Sequence, residues 1–223
     1  ILAGDVANPI GIAEQVMNKR KRHGWLGTIF AEWEIIKNLK YRISINGGIQ
    51  DNIQKKFEPS YVDFDSSKAP RPAKGINERW TDRDWVIENT LNYSFTLADK
   101  HSFNALLGYT TQSHTYEHMK GEARGYANDN ITTLNAGTMY ALTSDESEYS
   151  MISYLGRINY VYDNRYMLEG SFGATGSENF AEGHRWGIFP AVGAAWYISN
   201  ESFIRNHSAA KWLSKLKLRT SYG

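Results

Sequence analysis

The sequence has no cysteine and no long apolar run, and each absence excludes a class of protein. Without cysteine there is no disulfide scaffold and no thiolate metal site. The longest apolar stretch, residues 189–198, is shorter than the roughly 18 residues that a membrane-spanning helix needs. A net charge of +1 provides no global field for nucleic acid. The dense basic run Lys19–His23 is interpreted as a solvated loop, because a nucleic-acid or targeting patch is the rarer origin of such a cluster.

Signatures of enzymes are also missing. The sequence contains no nucleophile elbow, no HExxH zinc motif and no phosphate-binding loop. The six histidines are scattered. We therefore expect neither an enzyme nor a metal or cofactor site. One alternative stays open, namely Ca²⁺ held by loop carboxylates in the acidic clusters at residues 63–65 and 145–148.

Aromatic residues are abundant, and apolar residues alternate with polar ones. Aromatics make up 13% of the chain, with 14 Tyr and 7 Trp. Between residues 39 and 49 the odd positions are apolar or glycine, whereas the even positions include Lys40 and Arg42. Since strand residues point to opposite faces in turn, this pattern predicts a two-faced β-strand. Similar patterns occupy residues 25–36, 85–95, 103–109, 152–162, 166–175, 186–196 and 216–222, so the chain is predicted to be all-β with about eight strands.

The connections between these strands differ in length. Residues 36–38, 97–100 and 163–165 are predicted to be tight turns, because Asn and Asp supply the turn chemistry. Residues 51–83 and 117–148 are predicted to be long polar loops. Long extracellular loops and short periplasmic turns are typical of an antiparallel, up-and-down transmembrane β-barrel. The link from Asn200 to Lys211 breaks this rule, and is expected to hold a helical turn or to lie flat on the rim.

The stretch from Trp186 to Trp196 has the length of a membrane crossing. Its ten residue steps at ~3.3 Å make about 33 Å, or about 25 Å of height at a tilt of roughly 40°. One parity should then face lipid and the other the barrel lumen. The residues assigned to the lumen or to whatever fills it are Arg42, Glu88, Arg157, Gly187, Ala191, Gly193 and Arg219. In residues 186–196 the odd-numbered residues, assigned to the lumen, are apolar and mostly small, which predicts close packing against them. Pro190 in the same strand predicts a bulge.

Several runs of the sequence resemble the SusC/RagA family of TonB-dependent outer-membrane transporters of Bacteroidetes. They are SYLGRINYVYDNRYMLEG from Ser153, WGIFPAVGAAW from Trp186 and LKLRTSYG from Leu216. The residues that match family motifs in the second half of the chain include Gly176, Ser177, Phe180, Phe189, Pro190, Trp196 and Glu201. The chain departs from the family at Gly173 and Thr175, where the family has Arg and Asp, and at Glu178 and Asn179. The chemistry of the loop at residues 176–185 is therefore left open.

The resemblance implies a bacterial outer-membrane importer. It implies a 22-stranded barrel with an N-terminal plug, a TonB complex as energy source, a SusD-like surface lipoprotein as lid, and glycans or peptides as substrates. Residues 1–223 would then be part of the barrel domain, without the plug and the C-terminal strands. Aromatic residues assigned to the long loops are expected to contact substrate or lipoprotein, with packing within the loops as the alternative; they are Tyr61, Phe64, Trp80, Tyr126 and Tyr140.

Two other classes of protein remain as alternatives. Eight strands suffice to close a small barrel, so the chain could be a self-contained outer-membrane anchor or adhesin. That hypothesis predicts that the chain refolds alone in detergent. A lipocalin-like soluble binder would have to be soluble without detergent, which the outward Trp, Tyr, Ile and Leu residues disfavour.

Overall fold

The computed structural model describes residues 9–60, 72–205 and 214–223. The strands are β1 (Met17–Ile36), β2 (Leu39–Glu58), β3 (Lys74–Leu97), β4 (His101–Arg124), β5 (Thr138–Tyr162), β6 (Tyr166–Ser177), β7 (Trp186–Tyr197) and β8 (Lys217–Tyr222). Two short helices, α1 (Pro9–Gln15) and α2 (Ser202–Arg205), and two 3-10 turns, Leu134–Ala136 and Ile198–Asn200, complete the described elements. None of the helices in the described ranges is long and apolar enough to cross a membrane.

All eight strands form one sheet, in the order of the sequence from β1 to β8. The register of β5 to β8 is antiparallel throughout. The prediction of an all-β, up-and-down sheet of about eight strands is therefore confirmed. Within the described residues no pairing joins β8 to β1, so the sheet has a linear order.

The three predicted tight turns are present, and their backbone explains their sequence. Asn38, Ala98, Asp99, Asp163 and Asn164 all have positive φ, between 48° and 67°. Asn and Asp tolerate this left-handed region better than other non-glycine residues, and two such residues in succession match the twist of the flanking strands. The connections at the other end of the sheet, 125–137 and 178–185, are longer. The link after β7 holds the 3-10 turn and α2, which agrees with the helical interpretation.

The predicted loop boundaries were wrong in both long segments. β2 continues to Glu58 and β3 begins at Lys74, while β4 continues to Arg124 and β5 begins at Thr138. The apolar alternation ends where the polar segments begin, but the strands continue because polar side chains pair across them. Examples are Arg79 with Asp51 at 2.8 Å and His118 with Glu78 at 2.8 Å. The basic run Lys19–His23 also lies in β1 and not in a loop, and its Arg22 bonds Gln50 of β2.

The predicted bulge at Pro190 is also absent. Residues of β6 and β7 pair one to one from Tyr166 with Trp196 to Gly176 with Trp186. Ser177 donates its N–H to the carbonyl of Arg185, and Tyr197 donates to Arg165, so odd-numbered pairs exchange the hydrogen bonds of this ladder. Pro190 pairs with Phe172 in an even-numbered pair, where no N–H is directed at β6. The ladder with β6 therefore loses nothing to the proline.

The chain divides into two compact units. One contains the described residues up to Leu26 together with Gly48–Asp84 and His114–Glu148, and the other contains Gly27–Gly47, Trp85–Ser113 and the described residues from Tyr149 onwards. The first unit buries Phe57, Ala73 and Ala123. In the second unit many large apolar side chains are exposed, which is the arrangement of a wall with two open faces.

Candidate functional site

One face of β6, of β7 and of the part of β5 that pairs with β6 is apolar. The register places Ile158, Gly170 and Val192 in one row across the three strands. Ile158 is 52% exposed and Val192 61% exposed. An exposed apolar surface of this extent would be unfavourable in water, whereas lipid is a suitable environment for it.

Aromatic rings border this face at both ends. Near the tight turns, rings follow one another from β3 to β7 with centroid separations between 4.8 and 6.3 Å, and the imidazole of His101 links Tyr160 to Tyr162. The members of this lower ring row are Phe95, Phe103, Tyr160, Tyr162, Tyr166 and Trp196. At the other end Tyr154 lies 5.3 Å from Tyr109 and 6.0 Å from Trp186, and these three form the upper ring row. Paired aromatic girdles around an apolar band are the signature of a transmembrane β-barrel wall.

Asn89 is a polar residue on the face of β3 that is otherwise apolar, and it has a partner on the same face. The hydroxyl of Tyr41 donates to its Oδ1 at 2.6 Å. A polar group surrounded by hydrocarbon is costly unless it is hydrogen-bonded. The pair therefore makes an amide acceptable on the apolar face.

The family-motif glycine, Gly176, makes room for the upper ring row. A Cβ at this position would lie 2.9 Å from the indole of Trp186, its register partner. The indole therefore lies flat on the sheet only because residue 176 has no side chain. The neighbouring motif residues differ in setting: Ser177 ends β6 and accepts a hydrogen bond from the N–H of Asn179, whereas Phe180 is 61% exposed in the following connection.

Glu201, another motif residue, joins the tight-turn ends of β6 and β7. It is buried, with 6% exposure. Its carboxylate accepts hydrogen bonds from the Tyr166 hydroxyl, from Trp196 Nε1 at 3.0 Å and from Arg165 Nη1 at 3.0 Å. These donors, the Tyr166 hydroxyl first, hold the pKa of Glu201 below its ordinary value. The motif residues at this end therefore form a structural clamp.

The opposite face is polar along β1 to β4. Arg42 lies 4.0 Å from Glu32 and stacks over the ring of Phe30 at 4.3 Å. Glu88 accepts a weak hydrogen bond from Asn46 Nδ2 at 3.4 Å. A further network, formed by Asn104 with Asn92 at 3.1 Å and with Ser94 at 2.8 Å, leaves these side chains suited to contact with water.

The odd-numbered residues of β7, for which close packing is predicted, lie on this second face and include one large side chain. The ring of Phe189 lies over Gly187, where a Cβ would be 2.8 Å from it, and its own Cβ is beside Gly173. Phe189 is 63% exposed. Along this face the register aligns Ala191 with Ser171 and Arg157, Gly193 with Glu169, and Ala195 with Arg219. These residues thus form a narrow apolar band bordered by charged residues.

The five aromatic residues assigned to loops have different settings. Tyr61 and Phe64 lie outside the described residues. Trp80 and Tyr140 lie in the strand extensions of β3 and β5, under Arg20 at 4.6 Å and Arg124 at 3.5 Å respectively. Tyr126 packs edge to face on Phe57 at 5.0 Å, which is packing within its own unit. Of the three described residues, only Tyr140 is largely exposed.

The acidic cluster at residues 145–148 lies in a strand and not in a loop. Asp145 points to one face there and Glu146 and Glu148 to the other, so the three carboxylates do not converge on one cation. Across the described part of the chain no group of His, Asp and Glu is arranged to hold a metal ion. The cluster at residues 63–65 lies outside the described residues.

A histidine that the sequence did not single out for a structural role links three strands. His118 of β4 contacts Glu78 of β3 at 2.8 Å and Asp145 of β5 at 3.3 Å. The hydrogen bonds to Glu78 and then to Asp145 raise the pKa of His118 above its ordinary value. The histidine borders a cleft of about 570 Å³ that Arg79, Arg83 and Leu134 also line. Only the strand extensions bring these residues together, and no alternation of apolar and polar residues marks the extensions.

Comparisons with known proteins agree with this architecture. No family model matches the chain. It is 28% identical over 227 residues to TonB-dependent receptor P26 of Formosa agariphila, which covers 97% of this chain and 22% of the relative. TonB-dependent receptor P39 of the same organism is 29% identical over 219 residues, covering 96% of this chain and 20% of the relative. TonB-dependent receptor SusC of Bacteroides thetaiotaomicron is 25% identical over 231 residues, covering 97% and 21%. The chain thus spans about a fifth of the length of the curated relatives it matches.

Solved structures show the same fold. A structure of the RagAB peptide transporter superimposes with a TM-score of 0.86 at 22% identity, covering 94% of this chain and 23% of the other. The RagAB peptide importer in its open-open state gives a TM-score of 0.86 and covers 95% of this chain. The chain is therefore a relative of the TonB-dependent receptors, SusC among them, and it has the fold of a β-barrel wall segment of a SusC/RagA-type transporter.

Proposed function

We propose that this chain is part of the barrel wall of an outer-membrane TonB-dependent importer. The observation that carries the proposal is the two-faced sheet, which has an apolar face between two aromatic ring rows and a polar face behind it. The relatives add the class of protein, and none of the names reported for them is that of an enzyme. The linear order of the sheet disfavours the alternative of a self-contained eight-stranded barrel, since closure would require β8 to pair with β1.

The intact receptor would contain a plug inside the barrel and take energy from a TonB complex. Its extracellular mouth, built partly from the strand extensions, would be covered by a SusD-like lipoprotein. We propose glycans or peptides as substrates, because the resemblance implies both and the similar RagAB structures are described as those of a peptide transporter. Lumen-facing roles for Arg42, Glu88, Arg157 and Arg219, and contacts of Trp80, Tyr126 and Tyr140 at the mouth, are part of this proposal.

The narrow apolar band of β7 is the proposed contact with the plug. Its small residues would let the plug approach the wall closely, and the exposed ring of Phe189 would be covered by it. Ala191→Arg and Gly193→Trp are expected to impair plug seating and uptake without unfolding the barrel. Val192→Trp is the matched control, because the same bulk is placed on the opposite, lipid-facing side of the same strand.

The test measures uptake in cells that carry the intact receptor and its SusD-like lipoprotein. Labelled oligopeptides and labelled oligosaccharides are supplied separately, so that the two substrate classes are compared directly. We expect uptake of one class, its loss in the Gly193→Trp variant and its retention in the Val192→Trp variant. Normal uptake in both the Ala191→Arg and the Gly193→Trp variants would contradict the plug contact. Uptake of neither class by the unmodified receptor would contradict the importer itself.

A further inference from the structure

The basic run Lys19–His23 has no part in the wall described so far. Its position in β1 determines which face of the sheet each of its side chains lies on. Three side-chain contacts join even-numbered residues of β1 to even-numbered residues of β2. They are Gln54 with Asn18 at 2.9 Å, Arg22 with Gln50, and Thr28 with Asn46 at 2.8 Å. Because strand residues alternate between faces, the odd-numbered residues of β1 lie on the other face.

That other face carries Lys19, Lys21 and Trp25. Trp25 is 64% exposed, and beyond it the same parity continues with the exposed Ile29 and Trp33. Trp25 therefore stands where an apolar face ends, as an interfacial aromatic residue does. Lys21 is four residue steps from Trp25, which is about 13 Å along the strand and roughly 10 Å of height at a 40° tilt. The polar layer outside the hydrocarbon is about 5–7 Å thick on each side. The flexible stem of Lys21 therefore has to bend down to bring its charge to the lipid head groups.

Among the described residues, Lys19 and Lys21 have no hydrogen-bond or ion-pair partner, in contrast to the two arginines between and beside them. Arg20 stacks over Trp80 at 4.6 Å, and Arg22 bonds Gln50. Across the described ranges, no acidic residue pairs with Lys19 or Lys21. The nearby carboxylate of Asp51 is already taken, with Arg79 at 2.8 Å and the Thr81 hydroxyl at 2.8 Å. The face beyond Trp25 thus presents two uncompensated ammonium groups.

We propose that Lys19 and Lys21 bind the phosphate groups of phosphorylated glycolipids in the outer leaflet of the membrane. This inference rests on the proposed function, because it requires that the apolar face of the wall be embedded in lipid. A lysine ammonium is a compact point charge that binds phosphate, and its flexible stem lets the charge reach down to the membrane surface. Near an anionic surface each such residue adds about a factor of five in affinity.

The test uses the intact receptor in vesicles of phosphatidylcholine that contain diphosphoryl lipid A or its dephosphorylated form. Lipid retained by the purified receptor is counted by native mass spectrometry. We expect the unmodified receptor to retain diphosphoryl lipid A in preference to the dephosphorylated form. The double variant Lys19→Gln/Lys21→Gln should bind diphosphoryl lipid A about 25-fold more weakly. Excess inorganic phosphate should not displace the lipid, since the lipid tail holds the head group at the site.

The matched control is Arg20→Gln/Arg22→Gln, which removes two charges from the same strand but from the opposite face. It should retain lipid A as the unmodified receptor does. Equal retention by the lysine variant and the unmodified receptor, or equal loss in both double variants, would overturn the inference. Displacement by inorganic phosphate alone would also overturn it. Quenching of tryptophan fluorescence by brominated lipids separates this failure from failure of the proposed function, because a receptor that does not insert shows no quenching.

Discussion

Ile158→Arg is the substitution that most directly tests which face of the wall meets lipid. Ile158 lies in β5 midway between Tyr154 of the upper ring row and Tyr162 of the lower ring row. Four strand steps of ~3.3 Å separate it from each, which at a tilt of roughly 40° is about 10 Å of height. An arginine placed there has to extend most of its stem to reach either interface. At the midplane of a barrel wall, arginine costs about 2–4 kcal/mol.

The expected loss corresponds to a folding equilibrium constant that is roughly 30- to 700-fold smaller. It is measured by urea-dependent folding of the intact receptor into phosphatidylcholine vesicles, followed by tryptophan fluorescence. The matched control is Asn159→Arg, one residue away on the opposite face, where Asn159 pairs with Glu169. Water on that side should keep its cost below about 0.5 kcal/mol. Equal losses for the two variants, or no loss for either, would refute the assignment of faces.

Three further substitutions test individual contacts. Tyr41→Phe leaves the amide of Asn89 without its 2.6 Å partner and should cost about 1 kcal/mol in the same folding assay, while the double variant with Asn89→Leu recovers stability. Gly176→Ala drives a methyl group against Trp186 and should cost about 1–3 kcal/mol, whereas Gly170→Ala, whose nearest neighbour is Ile158 Cγ2 at 3.8 Å, should be nearly neutral; equal costs would contradict the packing. For His118 the folded-state pKa is raised, so its stabilisation is complete at low pH and is lost as pH rises through that pKa. Hydrogen exchange at the start of β5 should therefore quicken with rising pH beyond the intrinsic rate, and His118→Gln should remove this extra dependence.

The sequence was most informative where apolar and polar residues alternate. The strand at residues 186–196 and the turn at residues 163–165 could be predicted because lipid contact and left-handed turn backbone both demand particular residue types. The strand extensions could not, because β3 between Lys74 and Asp84 has only Ile76 and Trp80 among polar residues and glycine, and is held by partners that are distant in sequence. The contact between His118 and Glu78 is an example, since its existence depends on register and not on local pattern.

Pro190 shows how register can override a local rule. Proline disfavours the interior of a strand only when its missing N–H would have faced a partner. Whether the N–H position of Pro190 faces β6 depends on whether its register pair is hydrogen-bonded. The turn between the two strands sets that alternation. Asn89 is similar, because its acceptability on the apolar face depends on Tyr41 in another strand.

The unbroken one-to-one register of β6 and β7 also limits how this wall can evolve. Losing or gaining a single residue inside either strand would turn every later side chain of that strand to the other face, so that a residue lost from β7 would move Trp196 from the apolar to the polar face. Length changes inside the strands are therefore expected only in steps of two. Residues 178–185 lie outside the paired register, so single insertions and deletions should accumulate there among related chains.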